Sequence, residues 1–129
     1  MAAWDDVRRI ALGLPEVEET LSRGLAFWRV RDKGFVWERP LRVSDIRALG
    51  EEAPDGPILG ARVEHVGAKE ALLASEPRVF FTTPHFDGYP AILVRLERIA
   101  VLDLEEIIVE AWLARAPKGL AREYLDATD

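Results

Sequence analysis

The side chains that do chemistry most often are scarce in this sequence. It has two histidines, His65 and His85, and no cysteine. Without cysteine there is no disulfide framework, no thiolate metal site and no cysteine nucleophile. His85-Phe86-Asp87 offers two metal-ligating side chains where a zinc site takes three or four. The alternative is a histidine that orders its own loop by hydrogen bonding. Ser22, Ser44 and Ser75 stand in loop or capping contexts. The chain holds no GxxxxGK[ST] phosphate loop, no GxGxxG fingerprint and no GxSxG elbow. These absences point away from the common catalytic classes and towards binding.

The basic residues carry more pattern. Arg29, Arg31, Lys33, Arg39 and Arg42 fall in or beside one short segment, with Arg23 just before it and Trp28 and Trp37 interleaved. Arginines and lysines on a twisted hairpin can meet a nucleic-acid backbone as a wing. Long arginine side chains also cover apolar sheet surface with no partner. The Pro84–Pro90 segment is dense in aromatic and turn-forming residues. It reads either as the lining of a pocket, with His85, Asp87 and Tyr89 as polar handles beside Trp28 and Trp37, or as a plug for one end of the core. Asp5, Asp6, Glu16, Glu18 and Glu19 form an acidic edge, either a solvated face or a weak site for a hard cation.

The elements that must position these residues follow from periodicity. Trp4, Val7, Ile10, Ala11 and Leu14 recur at helical spacing and stop at Gly13 and Pro15, which predicts a helix over 3–12. Two runs of β-formers, 25–30 and 35–38, flank Arg31-Asp32-Lys33-Gly34 and predict a hairpin. Ser44 is placed as the cap of a short helical turn ending at Gly50. Strands are predicted over 58–63, 79–82 and 91–96, with a short helix over 68–74. Asp103 and Glu106 resemble an acidic capping box, and Leu104, Ile107, Ile108, Ala111 and Trp112 trace the buried stripe of a final long helix. A further short helix is expected around 120–125. Adjacent strands with short loops, framed by helices, predict an α+β fold with an antiparallel sheet.

The chain has 129 residues, the size of one domain, and 49% of them are apolar, so a real core is affordable. Its formal net charge is −6, which opposes strong non-specific DNA binding while leaving room for a local basic stripe. No apolar run approaches the ~18 residues of a membrane-spanning helix, and the first residues do not form a signal peptide. A cytoplasmic, monomeric protein without cofactor or metal is expected.

Several ordered stretches resemble one family. Trp4-Asp5-Asp6-Val7-Arg8, Leu14-Pro15-Glu16-Val17-Glu18-Glu19, and Phe27 to Phe35 are similar to the MmcQ/YjbR family of small bacterial proteins. So are Phe80 to Pro90, Val94-Arg95-Leu96, and Glu110 to Lys118. The resemblance spans nearly the whole chain and is weakest over 40–60. It implies one domain over 1–129 with a CyaY/frataxin-like fold, an antiparallel sheet with helices packed on one face. It also implies a non-enzymatic, double-wing DNA-binding module. On that reading Arg29, Arg31, Lys33, Arg39 and Lys118 contact the nucleic acid, weakly and in a salt-sensitive way. The rival expectations are a small-molecule or protein-partner module built on Trp28, Trp37, His85, Asp87 and Tyr89, and a frataxin-like metal binder at the acidic edge.

Overall fold

The computed structural model describes residues 2–128. The chain opens with α1 (Trp4–Leu12), which buries Val7, Ile10 and Ala11. Asp6 accepts the Ala3 N–H at 2.9 Å, satisfying one of the donors a helix start leaves unpaired. Next comes a strand that the periodicity does not predict, β1 (Val17–Ser22). Its Glu18-Glu19 pair breaks the period-two pattern, and it lies at the sheet edge, where alternation is weakly enforced.

β1 joins β2 (Leu25–Val30) through Arg23-Gly24, and β2 joins β3 (Lys33–Glu38) through Arg31-Asp32. All four turn residues have positive φ, at 53°, 81°, 42° and 69°, the geometry of two-residue type I′ hairpins. The second turn is therefore shorter than predicted, and Lys33 and Gly34 belong to β3. Trp28 pairs with Val36 but Arg29 pairs with Gly34, so Phe35 is an extra residue. This bulge lets the consecutive Phe35 and Val36 both bury completely.

After α2 (Val43–Leu49) come β4 (Ile58–Arg62), α3 (Val66–Ser75), the two-residue β5 (Phe80–Phe81), β6 (Ala91–Arg95), α4 (Val101–Arg115) and α5 (Lys118–Thr128). Three helix starts differ from expectation. Arg42 rather than Ser44 is the N-cap of α2, and Asp45 in the first turn accepts the Arg42 N–H at 2.8 Å. His65 caps α3, its Nδ1 accepting the Ala68 N–H at 3.0 Å. α4 begins at Val101, so Asp103 lies within its first turn, where it favours the helix dipole instead of forming a capping box.

The six strands form one sheet in the order β1-β2-β3-β4-β6-β5, antiparallel at every pairing. Strand pleating then sorts the side chains. Trp28, Val30, Leu59, Ala61, Ile92, Val94 and Phe80 point to the face covered by α1 and α4, where Leu104, Ile108, Ala111 and Trp112 meet them. Ile58, Leu93, Ala91 and Phe81 point the other way, into a second cluster closed by Phe86, Trp37, Leu41 and Leu49. That second cluster covers only the β4-β6-β5 half. Over β2 and β3 the face remains open.

Candidate anion-binding groove

The open face of β2 and β3 is a groove of about 480 Å³, within the usual range for ligand pockets. Phe27 and Trp37, directly opposed across the strands, form its floor. Each ring occupies space that a side chain on the neighbouring strand would otherwise fill. A β-carbon on Gly34 would lie 2.1 Å from Phe27 Cζ, and one on Gly60 would lie 2.4 Å from the Trp37 indole. These glycines are therefore required by close approach, not by backbone angle.

The Pro84–Phe86 turn and the residues after it form one wall, with His85, Phe86 and Tyr89 lining the groove. Buried Lys69 holds this wall in place. Its ammonium donates to the Phe86 carbonyl at 2.6 Å and to the Tyr89 carbonyl at 3.1 Å. Burial pushes the Lys69 pKa down, and nearby Asp87 opposes that shift. His85 meets Phe86 edge-on at 4.9 Å.

Five arginines line the groove: Arg23, Arg39, Arg42, Arg62 and Arg115. They gather at its two ends. Arg39 and Arg42 follow the end of β3, and Arg23 sits in the turn before Leu25. At the other end Arg62 closes β4, donating to the Tyr89 hydroxyl at 2.6 Å with its guanidinium 4.9 Å from the ring centroid. Arg115 reaches that end from α4, whose Trp112 bonds the Pro15 carbonyl beside the start of β1.

The pairing of these cations differs from that of the hairpin cations. Arg39 is 6% exposed, pairs with Asp45 at 3.1 Å and bonds the Pro40 carbonyl. Burial acts to raise the Asp45 pKa, but the Arg42 N–H and the Arg39 charge outweigh it and hold the carboxyl below its usual range. Arg23, Arg42, Arg62 and Arg115 have no carboxylate within ion-pair distance among the described residues. The Nε of Arg62 and that of Arg115 are both buried with no acceptor among them. Glu38, the one carboxylate lining the groove among the described residues, accepts the Ala26 N–H at 3.1 Å.

The residues singled out from sequence divide accordingly. Trp37, His85 and Tyr89 all line the groove. Trp28 does not: it is 1% exposed on the helix-covered face, stacked on Trp4, with its Nε1 donating to Glu19 at 2.9 Å. Adjacent strand residues face opposite ways, and Phe27 takes the groove side. Asp87 is exposed and lies outside the lining. Arg39 is buried and ion-paired, a structural cation and not an exposed phosphate contact. Lys33 and Lys118 are exposed, at the start of β3 and of α5, and neither lines the groove.

The hairpin arginines are occupied. Arg29 pairs with Glu18 at 2.8 Å and Arg31 with Glu16 at 2.6 Å. Mutual hydrogen bonding raises the Arg31 pKa and lowers that of Glu16. Glu19 pairs with Arg8 at 2.9 Å. The acidic edge is thus a row of ion pairs, and no group of three metal-ligating side chains forms among the described residues. No helix among them is long and apolar enough to cross a membrane.

Fold and groove together define an α+β protein whose sheet has one helix-covered face and one partly open, arginine-lined face. The same fold occurs in the crystal structure of the Deinococcus radiodurans protein DR2400, a DUF419 domain. It superposes with a TM-score of 0.70 at 18% identity, covering 98% of this chain and 89% of that one. The chain is 57% identical over 128 residues to uncharacterised proteins of Mycobacterium tuberculosis and Mycobacterium bovis, covering 97% of each partner. It belongs to the same family as these mycobacterial proteins. No family model matches the chain.

Proposed function

We propose that this protein is a non-enzymatic binding module that holds an anionic ligand in the groove over β2 and β3. The observation that carries the reading is the set of four groove arginines, Arg23, Arg42, Arg62 and Arg115, with no carboxylate within ion-pair distance among the described residues. A guanidinium with no carboxylate beside it keeps charge-assisted N–H donors for an anion oxygen. Phe27, Trp37 and Tyr89 add faces for a flat apolar portion. The MmcQ/YjbR resemblance supports a binding role as well. Its hairpin wing is a weaker fit, because Arg29 and Arg31 are held by carboxylates and leave Lys33 as the hairpin cation without an ion pair among the described residues. A cytoplasmic setting is part of this proposal and agrees with the cysteine-free chain.

Calorimetric titration with inorganic tripolyphosphate at low salt tests the reading. Binding that weakens with added salt and is lost on joint Arg62→Ala and Arg115→Ala substitution is expected. Undiminished binding by the double variant would move the anion elsewhere.

A further inference from the structure

We propose that the groove takes a short single strand of nucleic acid, with its bases against Trp37 and Phe27 and its phosphates on the arginines at the two ends. This rests on the anion-binding reading of the same groove and adds the shape of the ligand.

The charges in the groove are separated. Gly34 and Glu38 mark opposite ends of the groove, and four strand residues span about 14 Å. Arg62 and Arg115 lie at one end, and Arg23 and Arg42 at the other. A mononucleotide carries its phosphates on one side of its sugar and satisfies one end only. A strand carries a phosphate at every step and reaches both.

Aromatic rings lie between the charges. Phe27 and Trp37 are partly exposed on the floor, and Tyr89 is 43% exposed on the wall. Every base has a π-face, so aromatic side chains bordered by cations suit a strand of any sequence. An acidic peptide would match the arginines but has no regular series of rings to lay on that floor.

The chain as a whole is at −6, so the charge outside the arginine-lined groove sums to a net negative value. A thin strand fits inside the positive strip. A duplex spreads its phosphates over a wider surface and meets that net negative charge.

Trp37 is the one groove-lining residue among the chain's four tryptophans, so its emission reports the site. The experiment titrates the full chain at low salt with an oligothymidylate of about eight nucleotides. Thymidine monophosphate, a duplex of equal length and tripolyphosphate are run beside it. Anisotropy of a labelled strand supplies a second readout. The oligonucleotide should quench Trp37 and bind at least about tenfold more tightly than the mononucleotide, with affinity falling as salt rises. Joint Arg62→Ala and Arg115→Ala substitution should weaken it by at least about tenfold, and Lys33→Glu should leave it nearly unchanged.

Equal affinity for mononucleotide and oligonucleotide would assign the groove to free nucleotides and overturn the strand. Tripolyphosphate binding without oligonucleotide binding would also remove the strand while the anion groove stands. Binding of neither would remove both. Binding lost with Lys33→Glu and kept in the double arginine variant would return the contact to the hairpin.

Discussion

The hairpin turn and the groove are built on the same two strands, and both are rich in arginine, yet they present different surfaces. At the hairpin, Arg29 lies directly across the ladder from Glu18, and Arg31 meets Glu16 just beyond the register. Cross-strand pairing neutralises those cations. On the groove face, the lining carboxylate Glu38 is turned to a backbone N–H, and four arginines have no carboxylate partner among the described residues. The number of cations in a segment is therefore a poor guide to its potential. What decides is which face each cation points to and which carboxylate the fold sets opposite it.

The largest expected effect comes from the one groove arginine that is paired. Asp45 is 2% exposed beside Arg39, so Asp45→Ala leaves a buried guanidinium uncompensated and also strips the Arg42 N–H at the start of α2 of its acceptor. A loss of about 3 kcal/mol in denaturant unfolding is expected. The pH dependence has a definite sign. Because the folded pKa of Asp45 lies below its ordinary value, the unfolded chain takes the proton first as pH drops through about 4. The stabilisation from this carboxylate is present above that pH and disappears as pH falls through the folded pKa. Asp45→Ala should flatten that part of the acid profile, and an unchanged profile would mean Arg39 does not depend on Asp45.

Two glycines sharpen the contrast next. Gly60→Ala places a methyl 2.4 Å from the Trp37 indole and should cost about 2 kcal/mol while shifting Trp37 emission. Gly24→Ala, in the turn between β1 and β2, meets nothing within 4 Å but sits at φ +81°. It should cost about 1 kcal/mol with no change in emission. Similar emission changes from both would mean the groove floor is not set by close packing. Lys69→Met follows, at about 1 to 2 kcal/mol, since it leaves the Phe86 and Tyr89 carbonyls without their shared donor. Faster hydrogen exchange confined to the Pro84–Tyr89 wall is the expected signature.

How far the sequence reveals this molecule depends on distance along the chain. The α4 stripe and strands β2, β4 and β6 are legible because their apolar spacing repeats locally. β1 is not, because a half-exposed edge strand has no need to alternate and Glu18-Glu19 hides it. The wall of the groove is legible in the aromatic Pro84–Pro90 run. The floor is only half so: Trp37 can be picked out, but whether Phe27 or Trp28 shares its face depends on the register and on the bulge beside it. Lys69 lies three and four positions before Leu72 and Leu73, on the buried side of α3, a spacing that marks it as a buried cation. Arg62 and Arg115 carry no such sign. They lie 53 positions apart, and only the packing of α4 across the sheet brings them to one end of one groove.

The smallest expected effect on stability tests the comparison most directly. Joint Glu16→Gln and Glu18→Gln substitution removes two exposed ion pairs, and pairs of that kind contribute little to folding. The melting temperature should therefore barely move. The change in binding should be visible, because Arg29 and Arg31 lose their carboxylates while their positions on the hairpin stay fixed by the I′ turn. If pairing is what silences the hairpin, the variant should gain salt-sensitive affinity for duplex DNA that the natural chain lacks. Labelled-duplex anisotropy at low and moderate salt measures that gain. A variant that binds duplex no better than the natural chain would show that carboxylate pairing is not what separates the two regions. The distinction would then rest on shape, on an aromatic floor between two sets of cations that the hairpin does not have.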